Sequence, residues 1–440
     1  MVAASLIIAA LLGTPFAPRA IVPVPSGAVA AVVQPAAFNP TATARAHQAT
    51  ITVTPTVAGT ATTVVESTTG TVVATLGLSV PVTAGTPVVY TWPGAGAPDG
   101  TYGVRVTLMD AQGAISEAVT PVIVDSTPPA VAFGAPAPAQ TKRGPVALRA
   151  STDDPSGASA LRVDVLTQSG TLLGSTDLAV GPDGRSGAAT WNLRLRKRLL
   201  LPGVFTLRAA AVDGAGNLGT SSTRLLRVSR PVTTRIIYRL PDAGKVVALT
   251  FDDCGSNRDM LRIVAAFKAA RAQTTFFCNG VNVRDNVSAD RAAVAAGDTI
   301  GGHTWSHPEL PSLSYDEQVS QITGDVDAWW KAAKASPAPF FRPPYGLHDA
   351  ATLRAAGAAG FAWLVLWDVD PSDYLTPPPA ELIRHVVDKS RPGSIVVMHA
   401  NANTAASVPA MIRAVRAKGL EPVSLEEMLG TAAYLAPSGG

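Results

Sequence analysis

The sequence is short of several things, and each shortage narrows what the chain can be. Two cysteines occur in 440 residues, Cys254 and Cys278, so one disulfide at most can be built. Charged residues make up 15%, low for a cytosolic enzyme, while the 47% hydrophobic content is ample for several cores. The net charge of +3 is a mild bias spread over a large surface. A bias that mild, with no basic helix, sets nucleic acid aside as a partner. A membrane-spanning run is missing too. The apolar stretch at residues 3–12 is too short to cross a bilayer and has signal-peptide length, with Ala28-Val29-Ala30 as a small-residue cleavage pattern. It lacks the usual basic leader. Residues 1–30 are therefore read as a signal peptide or a retained N-terminal anchor, and the protein as secreted or held at the cell surface.

What is present falls into distinct textures. The length suggests roughly two to four domains. Residues 31–47 are Ala/Pro/Val-rich without a period and read as a linker. From 48 to 230 short β-branched runs alternate with turn signals such as Pro98-Asp99-Gly100 and Gly181-Pro182-Asp183-Gly184, the texture of β-sandwiches. An internal repeat runs through this part. Trp92, Tyr102, Asp110 and Gly113 are echoed by Trp191, Phe205, Asp213 and Gly216, with the aromatic-to-Asp and Asp-to-Gly spacings preserved. Asp125-Ser126-Thr127-Pro128-Pro129 forms the joint, giving two Ig-like sandwiches over 48–127 and 128–230.

After Pro241 continuous apolar runs alternate with helical periodicities up to about residue 432. Strands are expected at 246–251, 274–278, 340–341, 361–367 and 395–398. Helices are expected where Met260, Ile263, Val264 and Phe267 repeat, and near 287–296, 350–359, 380–388 and 405–418. Ser314-Tyr315-Asp316-Glu317 reads as a capping box, with Val319, Ile322, Val326 and Trp330 on the apolar face behind it. This α/β alternation implies a parallel sheet covered by helices, open or closed into a barrel. The two cysteines lie at or just past the ends of apolar runs. Ends of neighbouring parallel strands bring Cα atoms into bridging range, so a disulfide and two free thiols beside a pocket both stay open.

The chemistry gathers behind these runs. Asp252-Asp253, His303, Arg342, Asp368 with Asp370, and His399 each follow one. In a parallel barrel the C-terminal strand ends open on one face. His303 and His307, four apart, would lie on one face of a helical turn, about 6 Å apart along the axis. A carboxylate of the Asp pair completes a His₂-carboxylate set suited to zinc and related divalent ions. The other carboxylate can take a proton from water, Arg342 can hold that base, and His399 can protonate a leaving amine.

Five ordered segments carry a resemblance: Thr250-Phe251-Asp252-Asp253, His303-Thr304-Trp305-Ser306-His307, Arg342-Pro343-Pro344-Tyr345-Gly346, Asp370-Pro371-Ser372-Asp373-Tyr374 and Val397-Met398-His399. They resemble the motifs of the polysaccharide deacetylase family, the NodB-homology domain, over residues 241–432. The resemblance implies a distorted (β/α) barrel and metal-dependent removal of N-acetyl groups from amino sugars of peptidoglycan or a chitin-like glycan. Zinc is the usual metal; cobalt or another divalent ion is possible. It also implies Asp252 as general base, and Asp253, His303 and His307 as metal ligands. Arg342 would position Asp252, and Asp370 would orient Arg342 or His399. The backbone N–H of Tyr345 would serve the oxyanion, and His399 would be the general acid. Cys254 stands where the family has glycine, Tyr374 where it has tryptophan and Val397 where it has leucine, which bears on pocket shape. Two other readings are an inactive wall-binding or adhesion protein, and a metal-dependent amidohydrolase on a small amide.

Overall fold

The computed structural model describes residues 27–41, 47–134, 141–142 and 144–436. Most of the 1–30 leader reading therefore lies outside the described residues. The first β unit has two sheets facing each other. In one, Val29–Gln34, Ala49–Pro55 and Val88–Trp92 are neighbours; the other runs Ala37–Phe38, Ile115–Val124, Gly100–Asp110, Gly59–Ser67, Val72–Val82. Strand Ala49–Pro55 shows why the sequence folds this way. Ala49, Ile51 and Val53 are buried and the threonines between them are not, the period of two that a half-buried strand demands. Phe38, Trp92 and Tyr102 close the core edge to face, and the Tyr102 hydroxyl donates to the Pro98 carbonyl at 2.7 Å.

This unit corrects the linker reading at 31–47. Val29–Gln34 pairs antiparallel with Ala49–Pro55, and Ala37–Phe38 pairs parallel with Ile123 and Val124. The Ala/Pro-rich composition hides the pattern, because only Val29, Val33, Ala37 and Phe38 point inward. Ala28-Val29-Ala30 opens the first strand, so a cut after Ala30 would remove buried Val29.

The second β unit orders its strands Thr141–Lys142, Leu218–Val228, Gly203–Asp213, Ala158–Leu166, Leu172–Val180, Ser186–Trp191, Val146–Thr152, Val131–Phe133. The repeat is visible in backbone detail. Asp110 Oδ1 accepts from the N–H groups two and four residues on, and Asp213 Oδ1 does the same. The core of this unit, including Phe205, Leu207 and Trp191, runs on into the C-terminal part through Leu200, Ile237, Phe340, Val365 and Tyr434.

The C-terminal part is built on parallel strands ordered Arg235–Ile237, Trp363–Val365, Phe340–Phe341, Thr299–Gly302, Thr275–Cys278, Val246–Asp253, Ser394–His399, with Glu421–Pro422 beside Val246. The two ends of this order approach through isolated bridges, Val369 to Val396 and Arg239 to Ser394. Helices Asn257–Ala269, Val287–Ala296, Tyr315–Ala333, Ala350–Ala359, Pro379–Lys389 and Ala402–Ala417 surround it. The Ser314–Glu317 capping box is formed. Behind it Ile322 and Val326 face inward as expected. Trp329 rather than Trp330 is the buried tryptophan, and Trp330 lies against Arg227 and Lys334.

Because Phe38 belongs to a core and not to a linker, Phe38→Ala should destabilise the first β unit by about 3–5 kcal/mol, as for other buried aromatics. Urea unfolding monitored through Trp92 checks this. A change within about 0.5 kcal/mol, the range for a surface residue, would return 31–47 to the linker class.

Candidate active site

Register builds the site. Asp252 lies opposite His399 on one side and Phe277 on the other, and Gly302 pairs with Phe341, so His303 and Arg342 leave adjacent strands together. Asp252, Asp253, His303, His307, Tyr345, Asp370 and His399 line one cleft of about 1130 Å³ with Trp367, Tyr374, Thr376, Val397, Asn401, Ala402 and Asn403.

The His303–His307 segment is a loop, not the helical turn that the spacing suggests. It leaves the strand after Gly301-Gly302, and Thr304 and His307 take left-handed backbone angles. The N–H groups of Gly280 and Val281 bind the carbonyls of Thr304 and Trp305. The rings still meet, with centroids 4.9 Å apart. His303 Nδ1 donates to the Arg342 carbonyl at 2.7 Å, which leaves Nε2 facing the cleft with its lone pair free. Asp253 Oδ1 lies 3.5 Å from His303 Nε2 and 3.3 Å from His307 Nε2. That oxygen is buried and has no hydrogen-bond donor. An orphaned carboxylate oxygen between two imidazole nitrogens fits a divalent cation, and the His₂-carboxylate donor set suits one.

Burial opposes ionisation of Asp253, but His303, with further help from His307 and His399, holds its carboxyl down at about 2. His307 is lowered by burial and by the charge of His303, which favours the neutral ligand form. Burial works against the charged form of His303, and Asp252 and Asp253 raise it.

Arg342 is wholly buried. Its Nη1 donates to Asp252 Oδ1 at 2.6 Å and to Thr250 Oγ1 at 2.8 Å, and its Nε to the Val365 carbonyl at 3.2 Å. Phe277 and Trp367 cover the guanidinium. The structure thus joins Arg342 to Asp252 without Asp370. Asp370 is exposed at the cleft rim, and its Oδ1 accepts from the Ser372 N–H. The orienting role expected of Asp370 falls instead to Asp373, three residues on in the same motif. Asp373 Oδ1 pairs with His399 Nδ1 at 2.8 Å, and Oδ2 accepts from the His399 N–H, Asn401 and Thr404. Asp370 follows the isolated bridge at Val369, while Asp373 follows a left-handed Ser372; spacing alone does not separate the two. Burial lowers the basicity of His399, but the Asp373 contact and the Asp252 and Asp253 charges prevail and raise it to about 9.

Asp325 is a second residue that sequence reasoning misses. From the middle of helix Tyr315–Ala333 its Oδ2 accepts the His303 N–H at 3.0 Å, with the carboxyl fully buried. Nothing in a helix pattern marks such a residue except a charged side chain on the buried face. Tyr345 sits at φ +59° with its ring against His307 and 61% exposed. Cys254 and Cys278 are disulfide-bonded across adjacent strand ends. His348 and Asp349 lie off the cleft: Asp349 caps helix Ala350–Ala359, and His348 Nδ1 bonds the Gly346 carbonyl. Trp305 packs on Arg284 and Trp363 bonds the Ala433 carbonyl, so both are packing residues.

A family profile described as polysaccharide deacetylase matches residues 239–364. The chain is 28% identical over 210 residues to a peptidoglycan-N-acetylglucosamine deacetylase of Bacillus cereus, covering 47% of this chain and 98% of that protein. It is 29% identical over 228 residues to the peptidoglycan-N-acetylglucosamine deacetylase PgdA of Listeria monocytogenes, covering 50% of this chain and 48% of that one, so it spans about half the length of that relative. Over 165 residues it is 30% identical to a chitooligosaccharide deacetylase of Sinorhizobium fredii, covering 38% of this chain and 76% of the relative.

Since Asp373 is what keeps His399 protonated, the His399 imidazole should titrate near 9 in metal-free protein, charged below that pH and neutral above it. In Asp373→Asn it should fall toward the ordinary histidine value of about 6.5. Proton NMR of the His399 ring reads both; an unchanged titration in the variant would remove Asp373 from this role.

Proposed function

We propose that this chain, which belongs to the polysaccharide deacetylase family, hydrolyses the N-acetyl groups of amino sugars in a glycan, with peptidoglycan first among candidates and chitin-like oligomers second. One observation carries the reading. Asp252, Asp253, His303, His307 and His399, delivered by three separate strand ends, meet in a single cleft with Asp253 Oδ1 buried and unpaired between two imidazoles.

Asp253, His303 and His307 would hold a divalent cation, zinc by the chemistry of the set. When bound, such an ion supplies Lewis-acid polarisation of a carbonyl and lowers the pKa of water to about 7. The chain's own residues do the rest. Asp252, pinned at Oδ1 by Arg342, presents its other oxygen toward the cleft and takes a proton from the attacking water. The water oxygen bonds to the acetyl carbon. The Tyr345 N–H, on its left-handed turn, would serve the oxygen that becomes negative; one well-placed donor is worth about 3 kcal/mol. His399, held charged by Asp373, passes its proton to the amine nitrogen as the C–N bond breaks. Acetate and a free amino sugar are the products. Val397 and Trp367 give the cleft an apolar wall for the acetyl methyl, and Tyr374 and Asn403 line it farther out.

We read 241–432 as the catalytic domain, a distorted (β/α) barrel whose ends meet at the isolated bridges. The β units, 27–127 and 128–230, we read as Ig-like sandwiches that present it outside the membrane at the cell wall. Among the described residues no helix is long and apolar enough to cross a membrane.

Asp252→Asn should reduce acetate release from peptidoglycan or chitooligosaccharides by at least about 100-fold while analysis for zinc still finds one zinc per chain. His303→Ala should lose both. If zinc-loaded wild-type protein releases no acetate from either glycan, the hydrolase reading fails.

A further inference from the structure

The joint between the two β units holds a second acidic cluster, far from the cleft. Asp125 comes from the joint itself, Asp154 from the loop after Val146–Thr152, and Asp213 from the end of Gly203–Asp213. One carboxylate oxygen from each lies within 4.8 Å of the others, and all three residues are buried. Asp125 is only 7% exposed. Its Oδ1 accepts the Thr127 N–H at 3.1 Å, but its Oδ2 is buried without any hydrogen-bond partner. Ser156 is the hydroxyl near enough to serve it, and its proton is committed to Asp154 Oδ1 at 2.6 Å. No arginine, lysine or histidine pairs with any of the three among the described residues. Burial raises the Asp125 carboxyl above its ordinary range, and the charges of Asp154 and Asp213 raise it further. Three buried carboxylates of like sign, one of them with an orphaned oxygen, call for a cation.

The geometry points to a calcium site that clamps the first β unit to the second. Calcium takes oxygen ligands at about 2.4 Å, so donors around one ion stand no more than about 4.8 Å apart, a limit that the three carboxylates meet. Nitrogen and sulfur donors are absent from the cluster, which disfavours zinc and its neighbours. The arrangement is specific to the joint. Asp110, the repeat counterpart of Asp213, makes the same two turn bonds, yet no acidic cluster forms around it among the described residues. What the second copy adds is Asp125 delivered by the unit before it. Asn217 fastens the same place: its Nδ2 binds the Asp125 carbonyl and Asp213 Oδ2, and its Oδ1 accepts from Asn39 of the first unit.

The test uses the full chain with its catalytic cleft already saturated with zinc. Calcium is then titrated by calorimetry, and hydrogen exchange is followed at 125–127. The expected result is one calcium per chain, with a dissociation constant of about 10⁻⁴–10⁻³ M or tighter, as in extracellular modules. Exchange at the joint should slow at least about 10-fold on binding. Asp125→Asn and Asp154→Asn should each weaken binding at least about 10-fold with unchanged far-UV circular dichroism. Asp110→Asn should bind as the wild type does. Absence of saturable binding up to about 10 mM calcium would mean that a shared proton neutralises the cluster, and would overturn the proposal. Wild-type affinity in both joint variants would overturn it as well.

Discussion

A guanidinium with no exposed surface must be neutralised where it lies, and the catalytic cleft is arranged around how Arg342 achieves this. Asp252 supplies the countercharge, Thr250 and the Val365 carbonyl take further N–H groups, and two aromatic rings keep water away. Removing one partner of such a buried pair costs about 3–5 kcal/mol, because the other charge is left stranded. The same residue offers its carbonyl to His303 Nδ1. One side chain and its own backbone therefore fix both the carboxylate read as the base and the orientation of a ring read as a metal ligand. Neither can drift without uncovering the other.

The backbone around the cleft is held in conformations that L-residues avoid. Asp253, Cys254, Thr304, His307, Tyr345 and Ser372 all have positive φ, and each lies in or beside a functional segment. Such residues cost on the order of 1–3 kcal/mol each and persist only where the surroundings over-determine them. The surroundings are identifiable here. The Cys254–Cys278 link ties the Asp253 turn to the next strand, Asn282 and Asn286 bind the carbonyls of Asp253 and Cys254, and Asp325 holds the start of the histidine loop. Cys254 stands where the family resemblance expects glycine, the residue that takes a positive φ most easily; the disulfide gives a side chain there a structural purpose.

Much of this was legible in the sequence because strand ends in a parallel sheet share a face. Asp252, Asp253, His303, Arg342 and His399 each follow an apolar run, and that rule alone brings them together. Helix Tyr315–Ala333 announced itself through its capping box. The readings that failed share a cause: each needed a contact between distant segments. Asp373 and Asp370 are indistinguishable until the turn at Ser372 is known. The histidine loop has helical spacing without helical backbone, since Gly301-Gly302 and the contacts to Gly280 and Val281 override it. Strand Val29–Gln34 buries only two of its six side chains, too few to show against an Ala/Pro-rich background.

The last described residues reach back to the middle of the chain. Arg198 donates to the carbonyls of Leu435 and Ala436, the Leu201 N–H to that of Tyr434, and the Tyr434 ring packs on Phe205. With one apolar core running through both parts, the second β unit and the C-terminal part form a single stiff forearm, and the first β unit meets it at the 125–129 joint that Asn39 and Asn217 fasten. Whatever orientation the first unit takes, the cleft and the second unit would then travel together, like a tool fixed to its handle.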